Sequence, residues 1–105
     1  METFIIEHLT EAALPSYIAK GTTLVDFYAD WCQPCNRMAK ILPKFAEEYV
    51  GRIQFVKVDV DELKTPKYLV KSIPTFHLYK DGVLVEKWEG IKTLLEMKRI
   101  LDKHI

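Results

Sequence analysis

A chain of 105 residues, 49% hydrophobic and 11% aromatic, is sized for one domain over 1–105 with its own core. Fifteen Lys and Arg balance fifteen Asp and Glu, so no net field draws in nucleic acid or an anionic membrane. The opening METFIIEHLTEAALP has a three-residue apolar run, Phe4 to Ile6; a secretory h-region needs roughly 7–15 residues and a bilayer span roughly 20. A soluble, cytoplasmic protein is expected, and with no coiled-coil pattern, a monomer.

In chain order, Thr3 to Ile6 reads as a first strand. Thr10 can N-cap a helix through EAALPSYIAK, made irregular by Pro15 and stopped at Gly21. TTLVDFYA, Thr22 to Ala29, is β-branched, aromatic and almost continuously apolar, as a strand covered on both faces would be. Met38, Ile41, Leu42, Phe45 and Tyr49 recur at helical spacing, predicting a helix over Pro34–Tyr49 that Pro43 should kink. RIQFVKVDV follows as a third strand, and Asp61 through Val70 as a weaker, shorter helix. Asp81-Gly82 joins two strands in a hairpin, and Leu94, Leu95, Met97, Ile100 and Leu101 form the stripe of a final helix. The sum is an α/β domain whose sheet has a parallel part and an antiparallel edge.

Both cysteines lie in DWCQPCNRM, three residues apart. Two are too few for the disulfide framework of a small secreted domain. Zinc normally takes four ligands, and His8, His77 and His104 offer no matching second pair, so no metal is expected. Inert buried thiols remain possible on composition alone. Position favours chemistry: Cys32 ends a buried strand and begins a helix, with Pro34 in the first turn where its missing N–H costs nothing. A thiolate there faces unpaired helix N–H groups and the positive end of the helix dipole, which lower its pKa. Cys35, one turn on, lies at the roughly 5–6 Å Cα separation that a disulfide requires. Such a pair suits thiol–disulfide exchange.

Asp26, inside LVDFY, is anomalous, because a buried carboxylate is expensive unless paired or neutralised. Burial raises its pKa and suits it to accept a proton; a solvated Asp at a sheet edge is the alternative.

Together LVDFYADWCQPCNRMAKILPKFAEEY, FVKVDVDE, SIPTFHLYKDG and WEG resemble the thioredoxin family over essentially the whole chain. The resemblance rests on Asp26, the W-C-x-P-C core, Lys57, Ile73-Pro74-Thr75, Gly82 and Gly90 in the right order. It implies a thioredoxin fold, a central five-stranded mixed sheet flanked by four helices, and a protein-disulfide reductase working through a mixed disulfide. That family is itself a standard example of a lowered thiol pKa in this motif, and so adds nothing independent on that point. By resemblance Cys32 attacks, Cys35 resolves, Asp26 exchanges the proton of Cys35 and Lys57 modulates Asp26. The same resemblance implies a cis-proline at Pro74, whose preceding residue Ile73 pairs with an extended substrate, within a contact surface of Trp31, Gln33, Pro34, Ile73, Pro74, Gly90 and Ile91. No bound cofactor is implied beyond the Cys32–Cys35 disulfide. The implied partners are disulfide-containing proteins and a thioredoxin reductase or equivalent electron donor.

The chain departs from the family pattern in four places. Gln33 stands where glycine is usual and adds bulk without charge, which predicts a reducing poise. Lys40 replaces the family's helix proline, with Pro43 a turn later; Tyr28 replaces a frequent tryptophan; Ile91 stands where a smaller residue is common. A disulfide isomerase, a specialised reductase with a dedicated partner and a non-catalytic binding module of the same fold are the rival readings.

Overall fold

The computed structural model describes residues 5–105. Its centre is a five-stranded mixed sheet of order β1-β3-β2-β4-β5, formed by β1 (Glu7–His8), β2 (Thr22–Tyr28), β3 (Gln54–Asp59), β4 (Thr75–Lys80) and β5 (Val83–Glu89). β2 is parallel to β3 and antiparallel to β4, with Asp26 opposite Lys57 on one side and Phe76 on the other. Covered on both faces, β2 is buried from Thr23 to Phe27, which is why its sequence lacks polar alternation.

Two cores follow from the two faces. Helices α2 (Gln33–Glu47) and α3 (Leu94–Asp102) cover one, packing Met38, Leu42, Phe45, Met97 and Leu101 on Leu24, Phe76 and Leu78. The other face carries Leu14 of the short helix α1 (Leu14–Ile18), together with Val25, Phe27, Val56, Val58 and Tyr79.

Several predicted boundaries move. Thr3 and Phe4 lie outside the described residues, and the first strand pairs at Glu7–His8, because Ile6 and Leu9 on either side are drawn into opposite cores. Helix α1 begins at Leu14, since Pro15 fits only a first turn; Thr10 instead accepts the Ala13 N–H at 3.2 Å in the preceding turn. Helix α2 runs through Pro43, with Ile41 more exposed than its predicted stripe requires. In α3, Thr93 and Glu96 close a capping box, Met97 and Leu101 are buried, and Leu94 and Leu95 are exposed.

The largest correction is the predicted helix over Asp61–Val70. A 3₁₀ turn, Val60–Glu62, stands there, so the described residues hold three α-helices rather than four. Pro66 disfavours helical geometry at Thr65 and donates no hydrogen bond. Glu11 accepts the Lys64 N–H at 2.7 Å and the Thr65 hydroxyl at 2.5 Å, and Leu69 takes a left-handed φ of 53°. The hairpin forms at Asp81-Gly82, both at positive φ as a type I′ turn requires, and a bulge at Val85 shifts the β4–β5 register.

Candidate active site

β2 ends at Tyr28, and buried Ala29 leads into the loop that delivers Cys32 as the N-cap of α2. The Cys32 N–H donates to the Ala29 carbonyl at 3.2 Å, and the Cys35 N–H donates to Cys32 Sγ at 3.2 Å. The cap therefore directs one of the helix's unpaired donors at sulfur, where negative charge would be stabilised. The Cα atoms of Cys32 and Cys35 stand 5.2 Å apart and the sulfurs are joined as a disulfide. Cys32 keeps 5% of its surface exposed and Cys35 2%, packed with Ala29, Val60 and Ile73.

Below the disulfide, Asp26 is 7% exposed and its Oδ1 has no hydrogen-bond partner among the described residues. Burial pushes its carboxyl pKa up to about 7, while the charge of Lys57 on β3 pulls against the rise without cancelling it. The Lys57 ammonium lies 5.3 Å from the Tyr28 ring centroid and forms no ion pair within 4 Å among the described residues. Asp26, Tyr28, Cys35, Pro43 and Lys57 share the wall of a cavity of about 280 Å³.

Beside the disulfide, the Ile73–Pro74 peptide bond is cis and Ile73 packs against the cysteines. The Gly90 N–H donates to the Pro74 carbonyl at 2.8 Å, tying the end of β5 to the start of β4. Neither the N–H nor the C=O of Ile73 has a hydrogen-bond partner among the described residues. Trp31 stands 69% exposed, its indole N–H donating to Asp61 at 2.8 Å, and with Val60, Val70, Lys71, Ser72 and Ile73 it lines a groove of about 340 Å³. Ile91, next to Gly90 in the chain, is exposed.

The thioredoxin family model matches residues 5–103. Thioredoxins of Staphylococcus aureus strains Mu50 / ATCC 700699, MW2 and N315 are each 40% identical over 102 residues, covering 95% of this chain and 98% of the relative. The chain belongs to the thioredoxin family. It is a thioredoxin-type disulfide oxidoreductase, and Cys32–Cys35 is its redox-active disulfide. Among the described residues no group of three His, Cys, Asp or Glu side chains is placed to hold a metal ion, and no helix is long and apolar enough to cross a membrane.

The residues expected from sequence come from three places: residues 31–35 from one loop and helix start, Asp26 and Lys57 from paired strands, and Ile73, Pro74, Gly90 and Ile91 from the segments just before β4 and just after β5. Gln33 is exposed and makes no side-chain hydrogen bond among the described residues. Sequence reading missed Asp61, which orients Trp31 from 30 positions away, and Ser72 and Glu89, whose side chains meet across 17. No local pattern marks contacts at such separations.

Proposed function

We propose that this chain reduces disulfides of protein substrates in the cytoplasm, with Cys32 as nucleophile and Cys35 as resolving thiol. The observation that carries the reading is the Cys35 N–H aimed at Cys32 Sγ at the start of α2, a donor that favours a thiolate on Cys32 over one on Cys35. In the reduced enzyme the Cys32 thiolate attacks one sulfur of the substrate disulfide, forming a mixed disulfide and expelling the other sulfur as a thiolate. Asp26, ionised, takes the proton of Cys35 across their shared cavity, which is wide enough for an intervening water. Cys35 then attacks Cys32 Sγ, releases the second substrate thiolate and leaves the Cys32–Cys35 disulfide. Two electrons have passed to the substrate, and a thioredoxin reductase or equivalent electron donor supplies two more to reduce Cys32–Cys35 again.

Lys57 tunes Asp26 by its charge. Ile73, its backbone groups unpaired among the described residues, offers an extended substrate one N–H and one C=O beside the disulfide. Trp31, Gln33, Pro34, Pro74, Gly90 and Ile91 complete the contact surface. The protein works as a monomeric domain with a reducing poise and without bound cofactor or metal.

Incubating the Cys35→Ser variant with disulfide-containing proteins tests this assignment. Mixed disulfides should accumulate on Cys32 and disappear with dithiothreitol. Trapping on the surviving cysteine of Cys32→Ser instead would reverse the two roles.

A further inference from the structure

We infer that Ser72 and Glu89 form a clamp that positions the substrate-pairing backbone of Ile73; the inference rests on the functional reading above. The Ser72 hydroxyl donates to Glu89 Oε2 at 2.7 Å, across 17 residues of chain. Glu89 is the last residue of β5 and faces Thr75, the first of β4, in the sheet register. The Thr75 hydroxyl in turn donates to the Ser72 carbonyl, and the neighbouring Gly90 N–H holds the Pro74 carbonyl at 2.8 Å. Ile73 is thus held on both flanks while its own N–H and C=O stay unpaired among the described residues.

The choice of partner is informative. Lys71, Lys87 and Lys92 flank this region in sequence, yet Glu89 forms no ion pair within 4 Å among the described residues and accepts from a neutral hydroxyl. Ser72 and Glu89 are both exposed, so their bond competes with water and adds little to global stability. Its effect is local. Without it, the residue before Ile73 keeps, among the described residues, the Thr75 hydrogen bond alone, and the β-edge presented to an extended peptide is less well ordered before binding. A substrate that presents a peptide to Ile73 should feel that loss; a small disulfide that meets only Cys32 should not.

The test compares the dithiothreitol-reduced protein with its Ser72→Ala, Glu89→Ala, doubly substituted and Glu89→Gln forms, on insulin and on 5,5′-dithiobis(2-nitrobenzoate). Each alanine variant should slow insulin reduction about three- to tenfold, with the small disulfide reduced at the wild-type rate. The double variant should be no slower than either single one, as for two halves of one contact. Glu89→Gln, whose amide oxygen still accepts the Ser72 proton, should restore the insulin rate. Equal loss on both substrates would make the pair merely structural and overturn the clamp. Wild-type insulin rates in the alanine variants would overturn it too, as would Glu89→Gln behaving like Glu89→Ala, which would assign Glu89 a direct charge contact instead. If the wild-type protein reduces neither disulfide, the functional reading falls and the clamp with it.

Discussion

Asp26 and His77 are buried polar residues on neighbouring antiparallel strands, offset by one position in register and therefore on opposite faces of the sheet. His77 is settled: its ring packs edge-on against Phe27 at 4.8 Å between centroids, and Nδ1 lies 3.2 Å from the Tyr79 hydroxyl. Asp26 is not: its Oδ1 has no hydrogen-bond partner among the described residues, and Asp26 lines a cavity shared with Cys35. Burial disfavours the charged form of each, raising Asp26 to about 7 and lowering His77 to about 4. Only Asp26 is thereby poised to exchange a proton near neutral pH, and only Asp26 has a thiol on its cavity wall. A satisfied polar group marks structure; an unsatisfied one beside a reactive sulfur marks chemistry.

The most drastic way to sharpen this contrast is to remove the thiol that Asp26 serves. Cys35→Ser should lower multiple-turnover insulin reduction by at least about a thousandfold, measured by turbidity, because the mixed disulfide has no internal resolving group. Residual turnover above one tenth of wild type would detach Asp26 from any role on Cys35.

Asp26→Asn comes next and should move activity and stability in opposite directions. A carboxyl whose folded-state pKa of about 7 lies above its ordinary 3.8 binds its proton more tightly when folded. Its stabilising influence is complete below about pH 4 and is lost as pH rises toward 7, so the wild type is penalised at pH 8. Asparagine removes that penalty, roughly 2–4 kcal/mol by urea denaturation at pH 8, while reduction slows by roughly ten- to a hundredfold. A destabilised Asp26→Asn protein would reverse the contrast.

His77→Phe should do the complementary thing. A histidine held at about 4, below its ordinary 6.5, contributes stability that is present above pH 6.5 and lost as pH falls toward 4. Phenylalanine should flatten that acid arm by roughly 1–3 kcal/mol and leave the insulin rate within about twofold of wild type. A tenfold rate change would give His77 a part in the chemistry.

The smallest expected effect belongs to Lys57→Met. Losing the charge that opposes burial should raise the Asp26 pKa further, by less than about one unit, and shift the alkaline-rising limb of the pH–rate profile by the same amount. A downward shift would show that Lys57 acts through packing on Tyr28 rather than through its charge.

Legibility varied along the chain for physical reasons. β2, α2 and the β4–β5 hairpin were readable because apolar periodicity and turn chemistry are local signals. Asp26 stood out as a charge inside a buried strand, and the cysteine pair by its spacing. The segment 61–70 misled, because its modest helical pattern lost to Pro66 and to the hydrogen bonds that Lys64 and Thr65 donate to Glu11, 53 and 54 positions away. Leu95 failed for a related reason: a helix with one buried face cannot cover every leucine its sequence carries.

By itself, then, the sequence determined a thiol pair at the junction of a buried strand and a helix, a misplaced carboxyl and a succession of strands and helices, all legible from local chemistry. Tertiary structure alone decided which groups meet. Ordering β1-β3-β2-β4-β5 sets Lys57 opposite Asp26, and joining β4 to β5 puts Gly90 on Pro74 and Glu89 on Ser72. Such contacts depend on strand register, which no local stretch of chain specifies.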